Sequence, residues 1–464
     1  MADAKHNKIY FERALASQEE FKVDVLLDQQ KGPENALAHS LNDEMEILTS
    51  PWSRSLAKIT WSSKRHAPLD SNGGSTFYMN TTDHHFARLP SFSATFPVIK
   101  VKSQYQGMVR ICWPNYVGFA PLDEVNLKID KMSGGKLNHL VNDVCLQFFR
   151  NPESSSSHIN EMTGNIPCLT EWAEFLPKWR TDVPLMFNLG SESNPIELHL
   201  CQNAFLTAKI RSKITDLLRM QQKQDNVWIN TDVETCFLDN VTTETTIEYE
   251  FSVEYGKVTP EELSELRKDA EIRRNRWYID HIVVSSERPF TYGQITTIRV
   301  RTPEQCIALM QLVQRIDYLQ FHNFSNYTTD ENLSFGLDPM DWHVYSHGDD
   351  VTEFAGHNSL LSRVKPYYYH LSSPLDPGYA IYPLGYHPAG PVPDISYNLS
   401  SLNSSWSIKL LDHPPPQHEY EKMTETVKPS FSGWLILRIQ KQYQIHRIDG
   451  DKYEHREITK RTLE

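Results

Sequence analysis

Cysteine is scarce and scattered in this 464-residue chain. There are six, at Cys112, Cys145, Cys168, Cys201, Cys236 and Cys306, and no two form a CxxC pair. That argues against a structural zinc site and against a disulfide framework, and it fits a reducing compartment. Long apolar runs are lacking too: none approaches the roughly 20 residues that a membrane-spanning helix needs. The stretch MADAKHNKIYFERALASQEEFK is polar and has no apolar core of a signal peptide, so folding in a cytosol-like space is expected. Positive charge is in deficit, 46 Lys plus Arg against 59 Asp plus Glu, for a formal charge of −13. Most of such a surface repels a duplex or an anionic membrane, so no direct nucleic-acid partner is expected. The signatures of catalysis are missing as well. GxxxxGK[ST] and GxSxG are absent, SGGK at Ser133–Lys136 reads as a turn, and no Cys–His pair stands out. The chain therefore reads as no enzyme, with no catalytic residue, metal ligand or cofactor assigned.

What is present describes a globular protein, 39% hydrophobic and 11% aromatic, and long enough for two or three domains. His343 and His347 have the H-x3-H spacing of a metal-binding helix, but Trp342, Val344 and Tyr345 around them read as a strand end, where that spacing does not converge. His84 and His85 are adjacent, so their side chains diverge. The basic residues Arg267, Lys268, Arg273, Arg274 and Arg276 alternate with Glu261, Glu262, Glu265, Asp269 and Glu271, which marks a solvated helix face. Seven N-x-[ST] triplets, at Asn80, Asn240, Asn323, Asn326, Asn332, Asn398 and Asn403, read as loop residues.

Residues 1–85 read as an N-terminal arm. From about Phe86 short runs alternate at period 2: 94–103, 107–113, 124–132, 245–256, 296–302, 406–412 and 432–449. Leu185–Cys201 reads as a hairpin around Gly-Ser-Glu-Ser-Asn-Pro. Helices are expected near Leu137–Phe149 and after Thr259-Pro260-Glu261-Glu262, whose Thr, Pro and Glu form a capping box. Thr302-Pro303-Glu304-Gln305 repeats that device, and Cys306, Leu309, Met310 and Val313 give a helical stripe behind it. Many short strands between turns argue for sandwiches or barrels.

HLVNDVCLQFF followed by HINEMTGNIPCL (His158–Leu169) resembles a helix-then-MIGN segment of the major capsid proteins of nucleocytoplasmic large DNA viruses, the iridovirus-like double jelly-roll family; Met162, Gly164 and Asn165 match. Val183–Cys201, the strand at Thr245–Tyr255 with the Arg-rich helix behind it, and Ile295–Gln314 are similar to later segments of the family, in order. Pro366–Ser404 resembles its Y-YPLA run, keeping Ile381-Tyr382-Pro383-Leu384, with Tyr397-Asn398-Leu399-Ser400 where NFS stands in the family. Within Pro366–Pro391, Tyr379, Ile381 and Leu384 are expected to supply core contacts, so that this tyrosine-rich stretch is architecture.

The resemblance implies a mainly β chain of two tandem antiparallel eight-stranded jelly rolls with short inserted helices: 1–85 an N-terminal extension, 86–232 the first jelly roll, 233–449 the second, 450–464 a charged C-terminal tail. It implies a structural viral capsid protein, a homotrimer forming a pseudo-hexagonal capsomer that tiles an icosahedral shell. Its partners would be itself, neighbouring capsomers, minor capsid proteins and an internal viral membrane, and its place the virion, with assembly in the host cytoplasm. The alternatives are a carbohydrate-binding, lectin-like β-sandwich, with Trp342, Tyr345 and the tyrosine run stacking on sugars, and a cupin-type metalloenzyme.

Overall fold

The computed structural model describes residues 60–66, 74–149, 156–191, 194–286, 288–291, 294–300, 302, 305–327, 340–346, 349–350, 364, 367, 378–384, 397–398, 405–410, 430–450 and 452–458. All of them belong to one compact unit, Pro51–Glu464.

Strands dominate, and every pairing is antiparallel. In the first half, one sheet runs β1 (Thr60–His66), β14 (Glu248–Lys257), β3 (Phe86–Phe96), β9 (Trp179–Pro184). The second runs β2 (Gly74–Tyr78), β10 (Ala204–Ile210), β6 (Leu122–Ile129), β7 (Met132–Leu137). Alternation decides which face is which. In β14, Phe251, Val253 and Tyr255 are buried, while Glu248, Glu250 and Glu254 point out. The two inner faces meet where the Phe77 ring lies 4.4 Å from that of Phe251. Two smaller sheets extend this half: β12 (Val227–Thr231), β11 (Arg219–Gln224), β5 (Val109–Cys112), and β13 (Leu238–Asp239), β4 (Ile99–Val101), β8 (Phe175–Leu176). Pro97, which has no N–H to donate, separates β3 from β4.

The second half carries a sheet ordered β15 (Asn275–Ser285), β23 (Phe431–Asp449), β17 (Gln305–Arg315), β20 (Tyr379–Pro383). To it β21 (Tyr397–Asn398) adds along β17, and β24 (Lys452–Glu457) along the far end of β23. Its companion runs β16 (Ile295–Arg299), β22 (Ser405–Leu410), β18 (Met340–Ser346), β19 (Asp349–Asp350). Between them Ile298, Leu309, Val313, Leu435, Leu437 and Ile439 form a core of their own.

Five helices are described: α1 (His139–Phe149), α2 (Ser156–Thr163), α3 (Pro167–Thr170), α4 (Pro260–Ile272) and α5 (Ile316–Gln320). In α4 the Thr259 hydroxyl accepts from the Glu262 amide and Pro260 opens the first turn, as the capping signature predicts. The matched Met162-Thr-Gly164-Asn165 stretch ends α2. Gly164 turns left-handed at φ +75, its N–H donates to Glu161 O, and Asn165 N–H donates to Asn160 O. This six-to-one, five-to-two pair closes the helix end, and the left-handed residue favours glycine.

Several expectations need correction. Gln305–Arg315 is a strand, not a helix. It is central, with β23 on one side and β20 on the other, and every residue from Cys306 to Gln314 is buried. An unbroken apolar run satisfies a helical spacing as easily as a strand's. Leu185–Cys201 is no hairpin: its described residues make a single bridge, Ile196 to Ala87, and one 3-10 turn. Ser133–Lys136 lies inside β7 rather than in a turn, paired along β6, and a Cβ at Gly134 would sit 2.9 Å from Leu127 Cγ, so glycine fits against that side chain. β14, which follows the expected boundary at 232–233, pairs with β1 and β3 before it, and β1 and β2 lie within the expected arm. The expected charged tail supplies β24, whose Tyr453, Glu454 and His455 are buried.

Candidate functional site: the junction between the two halves

Among the described residues no three His, Cys, Asp or Glu converge as a metal site. His84 stacks on Tyr255 at 4.4 Å, while His85 Nδ1 accepts the Val258 N–H at 3.0 Å, so the pair divides between different neighbours. His343 lies on β18; its side chain and His347 fall outside the described residues. Of the basic cluster, Arg276 is buried and paired with Glu197 at 3.4 Å, so it does not belong to a solvated face. Asn323 and Asn326 lie in a loop, as read, and are fully buried there. Tyr379 and Ile381 are buried and Leu384 packs at the core's edge, as expected of architecture; most of Pro366–Pro391 lies outside the described residues.

The concentrated chemistry is where the halves meet, and α1 is its axis. Asn138 Oδ1 accepts the Val141 N–H at 2.9 Å and starts the helix. Every residue from Leu140 to Phe148 is then buried, including Asn142, Asp143 and Gln147. Such polar groups stay inside only if bonded. Asn142 grips β9 and the segment after it, donating to Pro184 O at 2.9 Å and accepting from Met186 N at 2.7 Å. Asp143 turns to the other half and accepts the Tyr379 hydroxyl at 3.0 Å. Arg438 of β23 lies 4.0 Å from the centre of the Phe149 ring.

Cys145 Sγ sits 3.3 Å from His281 Nε2, and Arg438 Nη1 is 3.4 Å from the same nitrogen. A guanidinium can only donate, so Nε2 is an acceptor and the imidazole is neutral. Burial, with Arg438 beside it, pushes His281 down to about 3. Burial pushes the Cys145 thiol up to about 12. A thiol held protonated beside a base that cannot be charged, away from solvent, is not a catalytic dyad. The group packs and orients.

Two further ties flank this one. Beside β7, Tyr278 Oη donates to Ser133 O at 2.8 Å, Ile279 N–H to Asn188 Oδ1 at 3.0 Å, and Lys136 N–H to Asp280 Oδ1 at 3.3 Å; Asp280 also pairs with Lys441 at 2.9 Å. At the turn between β6 and β7, Asp130 is held left-handed at φ +50. Its carboxylate accepts from Gln202 N (2.8 Å), Asn203 N (2.9 Å), His455 N (2.9 Å) and His455 Nδ1 (3.2 Å), so β24 is fastened to the first half. Lys131 pairs with Glu454 alongside at 2.7 Å. Burial would raise the Asp130 carboxyl, but these hydrogen bonds outweigh it and hold it below the usual carboxylate range.

Sequence reading missed this site. Its one local signal was three uncharged or acidic polar residues on an otherwise apolar helix; partners 136 and 236 residues away leave no local mark.

No family model matches the chain, and no curated protein matches it in sequence. Solved structures do. The Faustovirus major capsid protein superposes with a TM-score of 0.61 at 9% identity, over 84% of this chain and 91% of that one. The crystal structure of PBCV-1 VP54, fitted into a reconstruction of the virophage Sputnik, gives 0.59 at 12% identity over 86% and 97%. The PBCV-1 virus capsid gives 0.57 at 13% over the same shares. At such identities the likeness is one of fold, and it agrees with the antiparallel sheets above: this chain is a double jelly roll, with the fold of these viral capsid proteins.

Proposed function

We propose that this chain is a structural protein of a viral capsid, acting as a homotrimer whose six jelly rolls form a pseudo-hexagonal capsomer, and that such capsomers tile an icosahedral shell. The observation that carries this is the junction. Three copies of a two-barrel chain approximate sixfold symmetry only if the two barrels keep a fixed mutual orientation. Hydrogen-bonded buried groups favour one arrangement over its neighbours, because any slip between the halves parts Asp143 from Tyr379 and Asp130 from His455. The likeness to capsid structures supports the same reading. Neighbouring capsomers, minor capsid proteins and an internal viral membrane are the partners it implies, with the virion as its place and the host cytoplasm as the site of assembly. Catalysis has no part in it.

Light scattering of the purified protein under dilute reducing conditions tests the reading. The expected mass is near three times 53.8 kDa and persists on dilution. A clean monomer would overturn it and favour the lectin-like alternative, to be followed on a glycan array.

A further inference from the structure

The hairpin β11–β12 has two unlike faces. Its tip, Asp225-Asn226, is left-handed at both residues, φ +48 and +62, the geometry of a tight two-residue hairpin turn that matches strand twist. Cross-strand register places Gln224 opposite Val227 and Gln222 opposite Ile229, on the face that carries Val109 into the core. Val109 is buried, yet Val227 is 61% exposed and Ile229 42%. The core face thus continues beyond the core as an uncharged apolar strip. β12 is also the end strand of its sheet, with nothing described on its outer edge.

The opposite face is cationic and stiff. Arg110 lies over Trp228 at 4.3 Å and over Trp172 at 5.4 Å; Lys223 lies 5.9 Å from Trp228, and Arg219 lies 4.9 Å from Trp172. Cations and indoles therefore alternate across the sheet. Gln221 crosses it as well, accepting from Arg110 Nε at 2.7 Å and donating to Asn230 at 2.8 Å. Lys223 is exposed and Arg110 half-buried on this face, with Arg219 buried beneath them, in a chain whose formal charge is −13.

We propose that the β11–β12 hairpin is a docking arm that seats on a second copy of this chain within the oligomer. A neutral edge strand bearing exposed Val and Ile, with no Lys or Pro along it to discourage pairing, is a template for association. A second copy carries the acidic surface that the cationic face complements, and charge complementarity sets register and on-rate. The turn and the cation–indole stack fix the arm beforehand, so little order is lost on docking. The inference rests on the oligomeric capsomer reading and names the surface that makes it.

The test uses the full chain. Val227→Ser/Ile229→Ser removes only exposed apolar groups, so the melting of the variant should match wild type. Dilution series read by light scattering should show its assembly constant weakened at least tenfold. Lys223→Glu should weaken assembly too, and more so at low salt. Hydrogen exchange of the 227–231 amides in wild type should slow on assembly, a readout that stands even if a variant folds poorly. Wild-type assembly retained by both variants, with 227–231 exchange equal in assembled and dissociated protein, would overturn the arm and leave the capsomer reading intact. A wild type that is monomeric at every concentration would remove both.

Discussion

Replacing Asp130 by glycine should free β24 from the first half without unfolding either half. Glycine accepts φ +50 at no cost, so the change measures the carboxylate and not the turn. Lost are the acceptor for His455 Nδ1, whose side chain is 2% exposed, and acceptors for the amides of Gln202, Asn203 and His455. The His455 amide and ring stay desolvated, and leaving these two buried donors unsatisfied, at about 1–3 kcal/mol each, costs about 3–4 kcal/mol together. At about 1.4 kcal/mol per decade, local opening of β24 should become roughly 100- to 1000-fold more frequent. Native-state hydrogen exchange of the 452–457 amides reads this directly, with strands β3 and β14 as internal controls. The same tie should weaken in acid. The Asp130 carboxyl is depressed in the folded state, so its stabilisation is complete above the ordinary carboxylate range and is lost as pH falls through the lower folded value. If Asp130→Gly leaves β24 exchange at the wild-type rate, the carboxylate does not hold the halves together and the account of the junction is wrong.

Three other outcomes are expected. Burial pushes His139, His199 and His281 down to about 3, 4 and 3, so each is neutral when folded and gains a proton on unfolding below about 6.5. Stability should therefore fall from pH 6.5 toward pH 4, and a melting temperature flat across that window would contradict their burial. Gly164→Ala meets both a left-handed φ and a Cβ only 2.7 Å from Val117 Cγ1; a loss of about 3 kcal/mol in denaturant unfolding is expected, and a neutral change would refute the tight fit. Tyr379→Phe strips a donor from buried Asp143 and should cost about 1–3 kcal/mol, seen as a lower chemical-denaturation midpoint; unchanged stability would mean the hydroxyl is not bonded there.

The strands that face water on one side were legible in the chain. ATF with PVIKV, VRIC and EYEFSVEYG alternate because one side of each meets the core, and these and WSIKL are strands where alternation put them. Where burial is two-sided the period vanishes, and QCIALMQLVQ was misread because it presents Met310 and Leu312 to one core and Leu309 and Val313 to another. The TPEE cap succeeded and the TPEQ cap failed on nearly the same letters. Behind TPEE the chain continues as an amphipathic helix with a charged outer face, whereas behind TPEQ it enters a strand that the sheet has claimed. The junction was the least legible, since Asp130 and His455 stand 325 residues apart and each looks ordinary among its neighbours.

The reach of β14 also sets a schedule for making the protein. Thr60 pairs with Lys257, so during synthesis at roughly 5–20 residues per second β1 waits on the order of ten seconds or more for its neighbour. Through that interval the edges of β1 and β3 have no strand between them. A ribosome-bound chain of this design needs shelter from other nascent chains, and a product cut short before Lys452 would carry the ties of α1 and β7 yet lack the one that Asp130 makes to β24.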